Sequence, residues 1–287
     1  MIVTDLRIYP VKSLGGHPTE TAQVEPWGLA GDRRWGLIDP AGEKVTAREL
    51  PALLGLRAQV LDEETIRIHD GHGESIPIDI PLGIGPVPVS HARQQFAAPA
   101  DEDVSAWISE RMGQPLRLVW QEEPRRRPMS GAHGGEPGDT LSLADAGPLL
   151  LTSQASLARL QEWIDAESDA PDPEGLDPDD VSSGATDSAG PLSMLRFRPN
   201  VVIDGAEPFA EDEWPTVRIG GVDFRTAETC DRCVMATFDP ETLAGGKEPI
   251  RTLARHRRWD GKTWFGTRLV PLGSGEISLG DEVVPGG

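Results

Sequence analysis

The sequence has 287 residues, a formal net charge of −20 and only two cysteines. Its length allows one large domain or two of ordinary size, each able to bury a core. Such an acidic chain is not expected to bind nucleic acid or an anionic membrane surface nonspecifically, because both carry negative charge. No apolar run approaches the roughly 20 residues of a membrane-spanning helix, so membrane insertion is not expected either.

Cysteine usage and the first residues suggest a compartment. The start, MIVTDLRIYPVKS, has no basic segment followed by an apolar block, so no signal peptide is predicted. Two cysteines are too few for a disulfide scaffold. A reducing cytoplasm is therefore the expected location.

Short alternating apolar runs separated by Gly, Pro and Asp predict strands through much of the chain. The predicted strands in the first half are IVTDLRIYPV, RRWGLIDPAG, LRAQVLD, TIRIHD, SIPIDI and LRLVWQ. Two segments have helical periodicity instead. These are DEDVSAWISERMG, which Gly113 ends, and SQASLARLQEWIDA, with Ser153 as its predicted N-cap. With a β-rich end at EISLGDEVV, the predicted fold class is mainly β with a few helices (α+β).

Composition also predicts the domain organisation. Residues 121–140 are rich in Gly, Pro and charge and predict a linker, which gives an N-terminal domain at 1–122 and a second domain at 123–287. Residues 165–191 contain nine acidic residues and no Lys or Arg, with almost no apolar side chains. This tract predicts a disordered surface insertion in the second domain, with an acidic docking arm as the functional alternative.

Both cysteines, Cys230 and Cys233, lie in TAETCDRCVMATFDPETL. The histidines show no paired spacing that would complete a zinc site, and four thiolates for an iron–sulfur cluster are lacking. The following VMATFDP predicts a strand and turn rather than the helix that a thioredoxin-like pair opens. Two interpretations stay open. One is a metal-ligating or nucleophilic thiolate favoured by Arg232, and the other is a pair of small core residues.

Basic residues occur beside glycine or proline turns at three places. Lys12 and Ser13 precede Gly15 and Gly16, where a lysine, a hydroxyl and free backbone amides can cradle an oxyanion. GLAGDRRWGL adds a second basic pair, and LRFRPNVVI adds a third before Asn200. Each alone is more simply a solvated surface charge. Three together in an acidic chain favour an anionic small ligand, since arginine matches phosphate oxygens in pairs.

The motifs IYPVKSLGG, GLAGDRRWGLID, TARE, LLLTSQASL, RFRPNVVIDG, CDRCVMATFDPETL and ISLGDEV, in this order and spacing, resemble the MOSC-domain family, the branch with an N-terminal β-barrel and amidoxime-reducing members. The resemblance runs from residue 1 to about 284. It implies an N-terminal MOSC-type β-barrel domain followed by a MOSC β-barrel domain. It also implies a molybdenum cofactor (molybdopterin), rather than pyridoxal phosphate, held between the two.

The resemblance also implies roles for particular residues. Cys233 falls on the family's molybdenum-binding cysteine and is the implied metal ligand and catalytic residue, with Cys230 as a bystander. Lys12, Ser13 and Arg33 match family positions that bind the cofactor phosphate. Arg198 and Asn200 match the Arg-Pro-Asn motif that faces the pterin. Ser153 is a further implied cofactor-binding residue, matched through its surroundings. Asp239 matches in the same way without a defined role. Ala236 departs from the family pattern, which has threonine there.

The implied activity is reduction of small N-hydroxylated compounds by a molybdenum oxidoreductase. Some bacterial relatives carry a ferredoxin domain, and this sequence has no cysteines to build its cluster. A separate electron-donor protein is therefore expected. The alternatives are a carrier or sulfuration module that holds the cofactor without turnover, and a MOSC scaffold that binds something else.

Overall fold

The computed structural model describes residues 1–168, 171–173, 176, 181–182 and 190–286. These residues form twenty strands and three α-helices, which confirms the predicted mainly β fold. In chain order the strands are β1 (Ile2–Ile8), β2 (His17–Pro18), β3 (Thr21–Glu25), β4 (Gly28–Leu29), β5 (Trp35–Ile38), β6 (Lys44–Val45), β7 (Arg57–Val60), β8 (Thr65–His69), β9 (Ser75–Asp79), β10 (Val87–Pro88), β11 (Phe96–Pro99), β12 (Arg117–Trp120), β13 (Leu149–Ser153), β14 (Val201–Asp204), β15 (Thr216–Ile219), β16 (Val222–Arg232), β17 (Arg258–Trp259), β18 (Lys262–Pro271), β19 (Gly275–Ser278) and β20 (Val283–Gly286).

The strands form four sheets. The largest has the order β2-β1-β14-β13-β18-β16-β15-β20, with β17 also paired to β18. Within it β13 and β14 run parallel, and the other pairs are antiparallel. The other three sheets have the orders β10-β11-β12-β5-β6, β19-β3-β4 and β7-β8-β9.

The N-terminal strands do not keep to the first half of the chain. β1 pairs with β14, so that Ile2 faces Asp204, and β3 pairs with β19, so that Thr21 faces Ser278. Residues of the predicted domain 1–122 thus complete sheets of the second half. The predicted linker also makes structural contacts, because the buried Arg127 donates to Ala92 O at 2.8 Å and to Ala144 O at 2.8 Å. The domain boundary at residue 122 stays a prediction.

The largest sheet buries its apolar face in one core. Leu6, Leu151, Val201, Phe224 and Leu269 are each at most 1% exposed and pack together there. Alternate residues of each strand share this face, which is why the period-two apolar pattern identified the strands. A second core, built around β5, β7, β8 and α1 (Glu102–Met112), fills the first half of the chain.

The two predicted helices are present and a third was missed. α1 ends at Gly113, which adopts a left-handed φ of 68° as a helix-ending glycine does. α2 (Gln154–Ala166) begins at its predicted cap, where the Ser153 hydroxyl accepts from Ala155 N and Ser156 N. α3 (Ile250–His256) had not been predicted. None of the helices in the described part of the chain has the length and apolar run needed to cross a bilayer.

Short 3-10 helices connect several elements. One of them, Val234–Thr237, follows Cys233 directly. The predicted strand and turn at VMATFDP was therefore wrong in its first part: a helical turn replaces the strand and folds the chain back after the cysteine. The others among the described residues are Pro51–Gly55, Pro124–Arg126, Gly131–His133, Met194–Phe197 and Ala210–Glu213.

The predicted acidic insertion, 165–191, falls largely outside the described residues, and its disorder stays a prediction there. Its described residues make contacts with the rest of the fold. Asp172 forms an ion pair with Lys247 at 2.5 Å. Leu176 and Val181 pack against the apolar cluster between α2 and α3. Parts of the acidic tract are thus held by an ion pair and by apolar packing.

A buried carboxyl group lies where α2 meets the strands. Glu211 is 0% exposed, and its Oε1 accepts from the Ser156 hydroxyl at 2.7 Å. Its Oε2 has no hydrogen-bond partner among the described residues. Burial raises the pKa of Glu211 to about 7, against the lowering effect of Ser156, because a carboxylate loses its hydration there.

We expect the ionisation of Glu211 to make stability depend on pH. An acid with a raised folded-state pKa favours folding in its protonated form, so stability falls as the pH rises from about 4.5 through about 7. The difference corresponds to up to about 3 kcal/mol. Urea unfolding of the wild type between pH 5 and 8 measures this loss, and Glu211→Gln should flatten it. Glu213→Gln, an exposed neighbour, is the control and should leave the pH profile as in the wild type. Parallel profiles for wild type and Glu211→Gln would contradict the assignment.

Candidate functional site

An open cleft lies where the two halves of the chain meet, and we refer to it as the central cleft. Its walls come from the turn after β1, the turns before β5 and after β6, the segment before β13, the turn before β14, the end of β16 and the interior of β18. Five of the six residues predicted to bind the cofactor line it, together with the predicted metal ligand. These are Lys12, Ser13, Arg33, Arg198, Asn200 and Cys233.

Ser153 is the exception. It is fully buried, it does not line the central cleft, and its hydroxyl is used in capping α2. The predicted role of Ser153 in cofactor binding stays a prediction, and Ser153 is not among the residues that line the cleft. Asp239 also serves local structure, since it accepts from Glu241 N and Thr242 N and pairs with Arg196 at 3.2 Å.

In each of the two predicted arginine pairs, Arg33 with Arg34 and Arg196 with Arg198, one member points away from the cleft. Arg34 donates to Gln121 O at 2.6 Å, and Arg196 donates to Thr237 O at 2.8 Å. Of these two neighbouring pairs, only Arg33 and Arg198 line the cleft.

A buried polar network lies beneath the cleft and is centred on the Asn200 amide, which is 1% exposed. Its Nδ2 donates to Arg7 O and to Asp32 Oδ1, each at 3.1 Å. Its Oδ1 accepts from Arg33 at 3.0 Å and from Leu150 N at 3.2 Å. All four hydrogen-bonding positions of the amide are thus filled by protein. Asn200 therefore holds the cleft together and has no position left for a ligand.

Arg33 is fixed by the same network. Its guanidinium donates to the fully buried Asp32 at 2.5 Å and to Arg198 O at 3.2 Å. Burial lowers the pKa of Arg33, but the Asp32 carboxylate outweighs this and raises it above its usual value. Arg33 therefore brings a permanent positive charge to the cleft in a set orientation.

Arg198 contributes a cation of a different kind. It adopts a left-handed backbone conformation with φ of 56°, and its guanidinium lies 4.5 Å from the centre of the Tyr9 ring. It forms no ion pair or hydrogen bond through its side chain within the described residues. Burial lowers the pKa of Arg198 to about 10, yet the group stays charged near neutral pH. Arg198 is half-buried, and a partly desolvated cation without an ion pair costs free energy that a bound anion would offset.

Lys12 and Ser13 lie on the turn that follows β1. Lys12 donates to Leu143 O at 2.8 Å and forms an ion pair with Asp145. Burial lowers the pKa of Lys12, against the raising effect of Asp145. Ser13 has a left-handed φ of 74°, and its hydroxyl makes no hydrogen bond within the described residues. The Lys12 ammonium is thus paired with the exposed Asp145 carboxylate, which a ligand could replace, and the Ser13 hydroxyl has no side-chain hydrogen bond within the described residues.

Asp145 reaches the cleft from the segment before β13. Desolvation raises the pKa of Asp145, but the cations Lys12 and Arg48 outweigh it and hold that pKa well below its usual range. Its side chain is nevertheless 62% exposed to solvent. Asp145 is therefore an ionised, reachable hydrogen-bond acceptor.

The two cysteines have different surroundings. Cys233 is partly exposed in the cleft, and Arg48 lies beside its sulfur. Burial lowers the pKa of Arg48, but the charge and hydrogen bonding of Cys233, with Asp145, raise it overall. Cys230 is buried, and its sulfur accepts from Arg232 at 2.8 Å. Arg232 thus hydrogen-bonds to Cys230, whereas Arg48 lies beside Cys233. The predicted electrostatic support of the Cys233 thiolate by Arg232 stays a prediction.

The cleft contains residues that sequence reasoning had not assigned. Arg48 lies within the TARE motif, and the sequence alone indicates no role for this arginine. Arg268 comes from β18 and forms ion pairs with Glu228 and Asp231. The lining residues include seven cations against the three acidic residues Glu49, Asp145 and Asp231. The cations are Lys12, Arg33, Lys44, Arg48, Arg198, Arg232 and Arg268.

This lining fits an anionic cofactor that carries its own metal ligands. An excess of cations, a free hydroxyl at Ser13 and an unpaired guanidinium at Arg198 suit a phosphate. Among the described residues no three His, Cys, Asp or Glu side chains form a metal-binding group. A metal bound to the Cys233 sulfur would therefore take its remaining ligands from the cofactor, and a soft thiolate suits a thiophilic metal.

Comparison with known proteins agrees with the sequence motifs. Residues 1–115 match the model of the MOSC N-terminal beta barrel domain, and residues 138–284 match that of the MOSC domain. The chain is 32% identical to mitochondrial amidoxime-reducing component 1 of Homo sapiens, over 98% of this chain and 82% of that protein. The corresponding protein of Mus musculus is 30% identical, over 98% and 81%.

A second group of relatives is longer than this chain. Molybdenum cofactor sulfurase of Danio rerio is 31% identical over 99% of this chain, which spans only 34% of that protein. Among solved structures, the solution structure of a Bordetella bronchiseptica protein covers 34% of this chain and 86% of its own, at 17% identity and a TM-score of 0.27. That likeness is too small to inform the site.

Replacing the Asn200 amide should destabilise the protein. In Asn200→Ala, Leu150 N and Arg7 O lose their side-chain partners, and Asp32 and Arg33 each lose one bond. We expect a loss of about 2–4 kcal/mol in the free energy of unfolding, measured in urea. Gln154→Ala removes an exposed amide at the start of α2 and should change it by less than about 0.5 kcal/mol. Similar values for the two variants would exclude a structural role for the Asn200 network.

Proposed function

Because the chain belongs to the MOSC family and carries that family's N-terminal β-barrel domain, we propose that it uses a molybdenum cofactor to reduce N-hydroxylated compounds. The observation that carries the proposal is the central cleft, where a partly exposed thiol and an excess of cations occur together. The names of the human and mouse relatives supply the class of reaction.

The cofactor's chemistry is separate from that of the protein. When bound, the molybdenum cofactor supplies the redox-active metal and the site at which oxygen is removed. Cys233 supplies a thiolate to the metal, and Arg48 beside it stabilises negative charge on the sulfur. Since the thiol is partly exposed and Cys230 is buried, Cys233 is the reachable ligand of the two.

The charged tail of the cofactor is held by the turn after β1 and by two arginines. Ser13 and Lys12 would donate to the phosphate, with Lys12 giving up its ion pair with Asp145. Arg33 and Arg198 would also donate to it. Asn200 acts through Arg33 and is therefore a positioning residue rather than a contact of the cofactor. Arg33 presents its charge with little loss of side-chain freedom, because Asp32 and Asn200 already fix it.

Asp145 and Arg48 are the groups best placed to orient a substrate. Asp145 is ionised near neutral pH and can accept a hydrogen bond from an N–OH group. Reduction of a hydroxylamine consumes two electrons and two protons and gives an amine and water. The two cysteines of the sequence cannot supply the four thiolates of a ferredoxin-type cluster. We therefore propose that a separate donor protein provides the electrons.

A cofactor carrier or sulfuration module is the second candidate. It is favoured by the match to molybdenum cofactor sulfurase over 99% of this chain. The two candidates differ in turnover. Molybdenum-loaded protein that reduces neither hydroxylamines nor amidoximes, with several artificial electron donors, would favour the carrier.

Substitution of the cysteines tests the proposed metal ligand. Cys233→Ser should lose molybdenum and at least about 100-fold of the reductase activity, because a hydroxyl is a poor replacement for a soft thiolate. Cys230→Ser should retain most of both. Molybdenum per protein, by elemental analysis, and hydroxylamine reduction with an artificial donor are the two measurements. Equal losses in the two variants would contradict the assignment of Cys233, and no molybdenum in wild type from a cofactor-replete host would end the proposal.

A further inference from the structure

Four side chains of the central cleft form a continuous chain of contacts, which we call the cleft relay. Lys12 forms an ion pair with Oδ1 of Asp145, and Oδ2 of the same carboxylate lies 3.5 Å from Arg48 Nη2. Arg48 in turn lies beside the Cys233 sulfur. All four residues line the cleft. The relay therefore joins a residue proposed to bind the cofactor phosphate to the proposed metal ligand.

The Asp145 carboxylate is shared between two cations. Its contact with Lys12 is a close ion pair, whereas the 3.5 Å separation from Arg48 is at the outer limit of a hydrogen bond. A carboxylate that lost Lys12 would turn fully toward Arg48, because close charge-assisted pairs with arginine are stronger than long ones. The strength of one contact thus depends on the other.

Arg48 is likewise shared between two partners, the cysteine sulfur and Asp145. Its side chain is 48% exposed and that of Asp145 is 62% exposed, so both can turn without repacking the interior. Their backbones are held in place. The Arg48 amide donates to Thr46 Oγ1 at 3.3 Å, and the buried Arg127 donates to Ala144 O at 2.8 Å. The side chains can therefore exchange partners while the backbone stays fixed.

We propose that Asp145 couples the phosphate site to Cys233. An anion that binds Lys12 releases the Asp145 carboxylate, which then pairs with Arg48 and draws it away from the sulfur. Cys233 is thereby more open to a metal once the anion is bound, so the phosphate end of the cofactor binds first. Asp145 is a positioning residue, since it acts on Cys233 through Arg48. The inference rests on the proposed function for the identity of the anion and the metal, but the coupling itself does not.

The coupling is reciprocal and can be measured from the anion side without metal or turnover. In Cys233→Ala, Arg48 keeps only Asp145 as a partner in the relay and therefore competes better with Lys12 for it. Isothermal titration calorimetry of the cofactor-free full-length protein should show inorganic phosphate binding about threefold more tightly than in the wild type. Asp145→Asn removes the competitor of the anion and should tighten phosphate binding at least about fivefold.

The double variant separates the relay from direct electrostatics. In Asp145→Asn with Cys233→Ala, the effect of the second substitution should disappear, so that the phosphate Kd equals that of Asp145→Asn alone. A threefold effect that persists there would mean that the sulfur acts on the anion through space, and the relay would be overturned. The same conclusion follows if Cys233→Ala has no effect in the wild-type background, or if the wild type binds no phosphate.

Asp231→Asn is the matched control. Asp231 is another acid of the cleft lining, but it pairs with Arg268 and Lys262 rather than with a member of the relay. In this background, Cys233→Ala should still tighten phosphate binding about threefold. Loss of the effect here as well would show that any removed acid abolishes it, and would contradict the role given to Asp145.

Molybdenum analysis of the wild type from a cofactor-replete host keeps the two proposals distinguishable. If the protein carries no molybdenum while the phosphate affinities change as expected, the proposed function fails and the relay stands. If it carries molybdenum while the phosphate affinities show no coupling, the relay fails and the proposed function stands.

Discussion

The central cleft depends on the side-chain amide of Asn200. Its four hydrogen bonds join the end of β1, the start of β13 and the turn that carries Asp32 and Arg33. These segments are separated in the sequence, and the Asn200 side chain holds them together through hydrogen bonds alone. The amide can fill this place because it offers two donors and two acceptors without charge. A carboxylate in its place would face the buried Asp32 with like charge.

The interior of the cleft has the opposite sign to the chain as a whole. A net charge of −20 surrounds a lining with more than twice as many cations as acids. Asp32 forms an ion pair with Arg33, and Asp145 forms one with Lys12, whereas Arg198 forms no ion pair within the described residues. An anion that binds in the cleft would replace solvent beside Arg198 and the exposed Asp145 beside Lys12, neither of which is a rigidly held partner.

Sequence reasoning succeeded where a residue's role depends on its neighbours in the chain. Alternation identified the strands, and helical periodicity with Ser153 as cap identified α2. It failed where the role depends on distant partners. Arg33 and Arg34 are adjacent and look alike, but only the fold turns one into the cleft and the other toward Gln121. Family motifs brought Cys233 to attention, yet Arg48, the cation beside it, comes from almost two hundred residues earlier in the sequence.

The pairing of β1 with β14 and of β3 with β19 has a consequence for biosynthesis. The partners of the first strands are made about 200 residues or more after them, so a ribosome releases the amino-terminal segment well before its hydrogen-bonding edges can be filled. Contacts of such long sequence separation slow folding and leave apolar strand edges open to other chains. The edges of β1 and β3 that pair with β14 and β19 therefore stay open until the second half of the chain has been made, and the cleft cannot assemble before then.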